Sequence, residues 1–322
     1  MPKAHIIGIS GPSSSGKTTL ARLLQNIFSK LDLDPPLTSF IIHEDDFYYP
    51  DDKIPYTTTP SGKTLQDWDT IAAIDVSFLS ATLGYVRTHG ALPRRLKSIQ
   101  DLNEASDAGV DEATLAQLRQ HVRQRLLTRR SSATAAAAVP PTITFLEGFL
   151  LFSPPESEDK THVLRPVHDR LDVRLFLPAP YDLVKARRES RSGYVTSGPA
   201  PAPAPDTTPS SATNASVNAS EEVDLEGPDD RPPQNFWVDP PGYVDDIVWP
   251  RYVQDHSWLL LPEDGDSTSG GDAQEWVRRV GQGVKVRTDA GVAVAPGQGQ
   301  KLMIELLRWA VDAVVEFIEK EQ

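Results

Sequence analysis

The 322-residue chain contains no cysteine, which excludes disulfides, cysteine-ligated zinc and thiol nucleophiles in one step and agrees with a reducing compartment. The cytoplasm is the expected location. Positive charge is also in short supply. Lys and Arg number 32 against 45 Asp and Glu, and the net charge of -13 disfavours general attraction to nucleic acid or to an anionic membrane, so neither is an expected partner. No stretch approaches the roughly eighteen uninterrupted apolar residues of a membrane-spanning helix. The first apolar run starts so soon after Met1 that no secretory leader is expected. Hydrophobic residues, at 39%, are enough for a sizeable core, and residues 1–322 are read as a single domain with insertions.

The most informative stretch lies at the start. His5 to Ile9 is a short, mostly β-branched apolar run, and Gly11-Pro12-Ser13-Ser14-Ser15-Gly16-Lys17-Thr18 then satisfies the phosphate-loop pattern G-x-x-x-x-G-K-[ST]. Leu20, Leu23, Leu24 and Ile27 follow at helical spacing. A loop whose N–H groups converge on phosphate needs glycine where a Cβ would clash or φ is positive, which Gly11 and Gly16 supply. Lys17 can reach the β- and γ-phosphates, the Thr18 hydroxyl can ligate Mg²⁺, and the helix directs its positive end at the anion. Gly11, Ser13, Ser14, Ser15, Gly16, Lys17, Thr18 and Thr19 are the expected ATP contacts, with Mg²⁺ as cofactor. Four fixed positions would match by chance only about once in a hundred chains of this length.

Further strands are expected at Ser39–His43, Thr142–Leu146, Asp172–Leu177 and Trp258–Leu261. The second ends on Glu44-Asp45-Asp46-Phe47-Tyr48, at the sheet edge where open α/β folds bind ligands. Residues 90–141 read as a helical insertion whose Leu115, Leu118, Val122 and Leu126 mark a solvated, partly packed helix. Residues 197–233, rich in Pro, Ala, Ser and Thr and then acidic, read as a disordered loop. Asn214 and Asn218 begin glycosylation-type triplets there, which are read as chance matches. Residues 301–320 form an amphipathic helix whose stripe, from Leu302 to Ile318, is core. Strands alternating with helices imply an α/β fold with a five-stranded parallel sheet covered on both faces.

GISGPSSSGKTTLA, EDDFYYP, DWD, EGFLLF, RRESRS and PGYVDDIVWPRY, in this order, resemble the nicotinamide riboside kinases of the fungal type. The resemblance covers about residues 4–82, 142–195 and 235–262 and leaves out the two insertions, to which no chemistry is assigned. It implies a P-loop kinase fold of the uridine kinase and nucleoside monophosphate kinase type with a mobile lid. It implies that Asp45 is the catalytic base at the ribose 5′-hydroxyl, near Mg²⁺, with Lys17 and Arg188 as further catalytic residues. A carboxylate beside the metal should be held low, so Asp45 is expected to orient the hydroxyl more than to take its proton early.

The remaining carried-over roles are substrate contacts at Asp46, Phe47, Tyr48, Trp68, Asp69, Arg188 and Tyr194, a metal contact at Glu147, and ATP contacts at the lid residues Arg187 and Arg191. For Asp46 a helix cap or turn is the plain alternative. Trp68 would cover the base and Asp69 would accept from ribose hydroxyls. Tyr194 stands about one residue later than the pattern has it, which leaves Phe236 or Trp237 as alternatives for the second face. Glu263-Asp264-Gly265 falls where the family forms part of its adenine pocket.

The implied reaction is ATP-dependent phosphorylation of nicotinamide riboside, with nicotinic acid riboside as a second substrate, in NAD salvage. A uridine or cytidine kinase is the alternative within enzymes, and a non-catalytic ATP-binding regulator the alternative outside them. The expected partners are a nucleoside and ATP, and the expected state a monomer or weak homo-oligomer.

Overall fold

In the computed structural model the described residues are 3–99, 108–132, 141–199, 223–261, 285–287 and 289–320. The strands are β1 (Ala4–Ser10), β2 (Thr38–His43), β3 (Tyr56–Thr58), β4 (Thr64–Gln66), β5 (Thr142–Glu147), β6 (Val173–Phe176), β7 (Tyr194–Ser197), β8 (Gln234–Trp237), β9 (Leu260–Leu261), β10 (Lys285–Val286) and β11 (Ala293–Val294). The α-helices are α1 (Lys17–Ser29), α2 (Val76–His89), α3 (Glu112–Ser132), α4 (Arg165–His168), α5 (Tyr181–Glu189), α6 (Trp249–His256) and α7 (Met303–Lys320).

The central sheet has the order β11-β6-β1-β5-β2, and every pairing in it is parallel. β1 is buried along its whole length, as a strand covered on both faces must be. Its alternating side chains feed two cores. Ile7 and Ile9 join Leu20, Leu24 and the α7 stripe on one face, while Ala4 and Ile6 join Leu79, Leu83 and Val253 on the other. The Asp75 side chain caps α2 by accepting from the N–H of Phe78 at 2.8 Å, and Gly90, with φ +73°, ends it.

The sheet does have five strands, but the fifth is not the expected one. Leu260–Leu261, inside the run read as a strand at 258–261, pairs antiparallel with β10 in a separate ribbon, and β11 completes the sheet beside β6. β11 spans two residues, too few to show any periodicity in the sequence. Glu263, Asp264 and Gly265 lie outside the described residues, and the strand that put them near the adenine does not belong to the sheet.

α3 of the first insertion packs against α1 and α7 through buried Leu115, Val122 and Leu126, while Arg119 donates to Asn26 at 2.6 Å. It therefore adds a layer to the core and keeps a charged outer face. At the second insertion the flanks differ from a plain disordered loop. Ser197 closes β7, residues 223–233 run along residues 94–99 and into β8, and residues 200–222, with Asn214 and Asn218, lie outside the described residues. In the tail, Leu302 precedes α7 and is 70% exposed, so the apolar stripe starts at Leu306. No helix among the described residues is long and apolar enough to cross a membrane.

Candidate active site

β1, β2 and β5 end side by side, and the residues that follow them line one open cleft. The phosphate loop forms its floor. Gly11 (φ +149°) would drive a Cβ to 2.3 Å from the Leu177 carbonyl oxygen, and Gly16 (φ +97°) starts α1, so neither position accepts a side chain without displacement. Ser14 also has positive φ, and the hydroxyls of Ser14 and Ser15 are buried without a hydrogen-bond partner. Buried polar atoms left unpaired inside a cradle are what a bound phosphate would satisfy. The Lys17 ammonium donates to the Pro12 carbonyl at 2.8 Å, and burial holds it below the usual lysine value against the pull of Glu147 and Asp45.

Acids from β2 and β5 form the facing wall. Glu147 accepts from the Thr18 hydroxyl at 3.1 Å and meets His43 Nδ1 at 2.7 Å. Burial alone would raise the Glu147 carboxyl, but the His43 hydrogen bond and charge, with Lys17, bring it below its ordinary value. Burial first, and the charge of Glu147 second, push Asp45 up to about 6. Two carboxylates facing one point are held apart in charge until a cation arrives between them. Among the described residues no cluster of three or more His, Asp or Glu could hold a metal by itself. The donors Thr18, Asp45 and Glu147 suit Mg²⁺, which keeps waters and takes one or two carboxylates together with nucleotide phosphates.

The sequence reading names Glu44 among the acids after β2 but gives it no role. It is fully buried, its Oε2 accepts from the N–H groups of Phe149 at 2.6 Å and Leu150 at 3.1 Å, and burial pushes its carboxyl up to about 8. Gly148 leaves the room this needs, since a Cβ there would stand 2.3 Å from Glu44 Oε2. Glu44 thereby ties the turn carrying Asp45 to the loop that follows Glu147.

The far end of the cleft is aromatic and ionic. Trp68 is tilted against Trp237 with ring centroids 5.5 Å apart, and Tyr48 meets Trp68 edge-on at 5.3 Å and stacks with Phe149 at 6.4 Å. Tyr48 donates to the Trp68 carbonyl, and the Tyr243 hydroxyl accepts from the Trp68 N–H. Arg188, buried on α5, donates to both oxygens of Asp69 at 2.7 and 3.0 Å and to Asp239 at 2.7 and 3.2 Å. Asp239 also accepts from the Trp237 indole at 3.0 Å.

Ser13, Ser14, Gly16, Lys17, Thr18, Thr19, Asp45, Tyr48, Trp68, Asp69, Glu147, Arg188, Arg191 and Tyr194 all line this cleft. Gly11 and Ser15 belong to the loop behind it, and Arg187 stands beside it, donating to the Ser14 carbonyl at 3.2 Å. Two expected substrate contacts are not at the cleft wall. The Asp46 carboxylate turns back to accept from the N–H of Ile99 at 3.0 Å, and Phe47 is buried against Phe78. In a turn of four residues successive side chains diverge, so Asp45 and Asp46 do not face the same way. Trp237 lines the cleft, whereas Phe236 is 54% exposed and lies outside its wall. The reading missed Phe149 and Asp239. EGFLLF carried a signal for Phe149, but nothing local marks Asp239, whose importance lies in two partners brought together by folding.

A glycine loop between a buried first strand and helix, at the carboxyl edge of a five-stranded parallel sheet with acids beside it, defines a P-loop nucleotide-binding protein of the kinase type. Nicotinamide riboside kinase of Schizosaccharomyces pombe is 30% identical over 266 residues, covering 83% of this chain and 84% of that protein. Its counterpart in Eremothecium gossypii is 26% identical over 255 residues, covering 79% and 77%, and mouse nicotinamide riboside kinase 2 is 27% identical over 202 residues, covering 60% and 71%. No protein-family model matches the sequence. The chain belongs to the nicotinamide riboside kinase family and is a kinase.

Proposed function

We propose that the chain transfers the γ-phosphoryl group of ATP to the ribose 5′-hydroxyl of nicotinamide riboside, giving nicotinamide mononucleotide for NAD salvage, and accepts nicotinic acid riboside as well. The observation that carries this reading is the single cleft whose two ends suit two ligands. Lys17 and the unpaired Ser14 hydroxyl line one end, with the unpaired Ser15 hydroxyl in the loop behind it, and Asp69, Arg188 and the Trp68–Trp237 pair line the other. Asp45 lies between them.

The phosphate loop and Lys17 bind the β- and γ-phosphates, and Arg191 at the rim neutralises charge as the phosphoryl group moves. Thr18, Asp45 and Glu147 would hold Mg²⁺, which would offset the negative charge of the phosphates. Asp45 accepts the hydrogen bond of the 5′-hydroxyl and receives its proton as the oxygen–phosphorus bond forms, while the bond from the γ-phosphorus to the bridging oxygen of ADP breaks. Asp69 and Arg188 hold the ribose hydroxyls. A flat pyridinium laid against the face of Trp68 or Trp237 gains about 0.5 to 2 kcal/mol over its contact area.

The test is kcat/KM with Mg·ATP for nicotinamide riboside, nicotinic acid riboside, uridine and cytidine measured in parallel. At least a tenfold preference for the pyridinium riboside, about 1.4 kcal/mol, supports the reading, and a preference for uridine overturns it. Asp45→Asn should abolish turnover while ATP still binds, and unchanged turnover would remove Asp45 from its role.

A further inference from the structure

The two insertions outside the family resemblance meet each other, and they meet behind the turn that carries Asp45. On the first, the Arg95 guanidinium lies 5.2 Å from the Phe78 ring centroid, and Phe78 packs edge-on against Phe47 at 5.0 Å. The second returns over it. The Arg95 N–H donates to the Leu225 carbonyl at 3.2 Å, and its guanidinium reaches the Asp224 carbonyl at 3.1 Å and Asp230 at 2.9 and 3.2 Å.

Arg231 then turns inward. Its side chain is only 18% exposed and is held flat by Asp229, two residues away, through Nε at 2.9 Å and Nη2 at 2.9 Å. With that local pair made, its other donor capacity goes to two backbone oxygens from different parts of the fold. Nη2 donates to the Lys97 carbonyl and Nη1 to the Asp46 carbonyl at 3.5 Å. One rigid guanidinium thus bridges the first insertion and the acid turn.

The turn Glu44–Phe47 is four residues long, so its shape depends on what holds it at each end. The Glu44 side chain anchors it to the loop after β5. At the other end the Asp46 carboxylate accepts from Ile99 and Ser98, Phe47 packs on Phe78, and Asp46 O accepts from Arg231. Asp45 lies between the two anchors. Residues 223–233 also lead directly into β8 and Trp237, so the same contact sets the approach of a cleft-lining residue.

We propose that Arg231 is a positioning residue for Asp45: by joining the Lys97 and Asp46 carbonyls it uses the second insertion to hold the acid turn in its reactive geometry. The proposal rests on the reading of Asp45 given above. A fixed fork with several N–H groups can do this and a single ammonium only in part, which makes the conservative change informative.

The experiment measures kcat, both KM values and the melting temperature of the full-length chain as Arg231→Ala, Arg231→Lys, Asp230→Asn and Asp45→Asn. The expected result for Arg231→Ala is a kcat lowered about fivefold to twentyfold, a displacement of the catalytic group being costly, with KM for nucleoside and ATP within about twofold. Arg231→Lys should recover part of the loss. Asp230→Asn, which cuts only the exposed outer pair, should stay within about twofold of the parent. An unchanged kcat in Arg231→Ala overturns the proposal. A loss matched by a lower melting temperature or by an equal loss in Asp230→Asn also overturns it, because the residue would then only hold the segment in place. If Asp45→Asn is inactive while Arg231→Ala is normal, the positioning role alone fails; full activity in Asp45→Asn removes the reading of Asp45 itself.

Discussion

Arg188 and Asp69 form a bidentate pair, with Nη1 to Oδ1 at 2.7 Å and Nη2 to Oδ2 at 3.0 Å, and both side chains are less than a tenth exposed. Asp239 takes two more hydrogen bonds from the same guanidinium. A buried cation between two carboxylates is held by geometry, because each oxygen needs its own N–H. Burial alone would lower the Arg188 pKa, but the two acids outweigh it and raise it well above the ordinary value.

Arg188→Ala should therefore destabilise the chain by about 3 to 5 kcal/mol, since Asp69 and Asp239 would be left buried and unpaired. Arg188→Lys keeps the charge but cannot serve four oxygens, and kcat/KM for the riboside should fall by at least about tenfold. Thermal melting and steady-state kinetics on the same two variants separate the structural loss from the catalytic one.

The wall formed by Trp68 and Trp237 predicts a loss confined to the nucleoside. Trp237→Ala should raise KM for nicotinamide riboside by about twofold to thirtyfold, the equivalent of about 0.5 to 2 kcal/mol, and leave KM for ATP unchanged. Phe236→Ala, at the exposed neighbour outside the cleft, should leave both unchanged. Equal effects on the two nucleoside KM values would show that the ribbon, rather than the Trp237 ring, is what matters.

Glu44 predicts a difference between two substitutions. Its carboxyl, pushed up to about 8 by burial, is largely protonated at neutral pH, and Gln reproduces that shape and still offers an oxygen to Phe149 and Leu150. Glu44→Gln should keep kcat within about threefold, whereas Glu44→Ala should leave two buried N–H groups without an acceptor, at a cost of about 1 to 3 kcal/mol each. Melting temperature and kcat of the two variants check this.

Two buried histidines set an acid limit on stability. Burial holds His256 down to about 4 and His168 down to about 3, while an unfolded chain would protonate both near 6.5. At these two sites the folded state binds fewer protons across that interval, so their contribution to stability is complete above about pH 6.5 and is lost as pH falls toward the folded values. The melting temperature difference between the parent and His256→Gln should therefore shrink in measurements from about pH 7 down to about pH 4.

α3 predicts a stability effect far from the cleft. Leu126 is 1% exposed, and Leu126→Ala should cost about 2 to 5 kcal/mol if the first insertion is part of the core. A melting temperature equal to that of the parent would mean that the helix rests on the surface and contributes little.

Much of this protein was legible in local sequence because the chemistry itself is local. The phosphate loop needs its glycines, its lysine and its threonine within eight consecutive positions, and the apolar run of β1 and the stripe of α7 are plain enough to read directly. What lay beyond it depends on contacts between distant positions. β11 is too short to carry a pattern and is a sheet strand only because it docks beside β6. The neighbouring acids Asp45 and Asp46 look equivalent in a row of letters, and only the turn decides that one faces the cleft and the other faces Ile99. Asp239 meets Arg188 across 51 positions, and Arg231 meets Lys97 and Asp46 across 134 and 185. The sequence determined which groups could hold a triphosphate, because those groups are neighbours in the chain. Only the tertiary structure decided which acid, arginine and tryptophan share one cleft, because folding alone brings residues from separate strands within hydrogen-bonding distance.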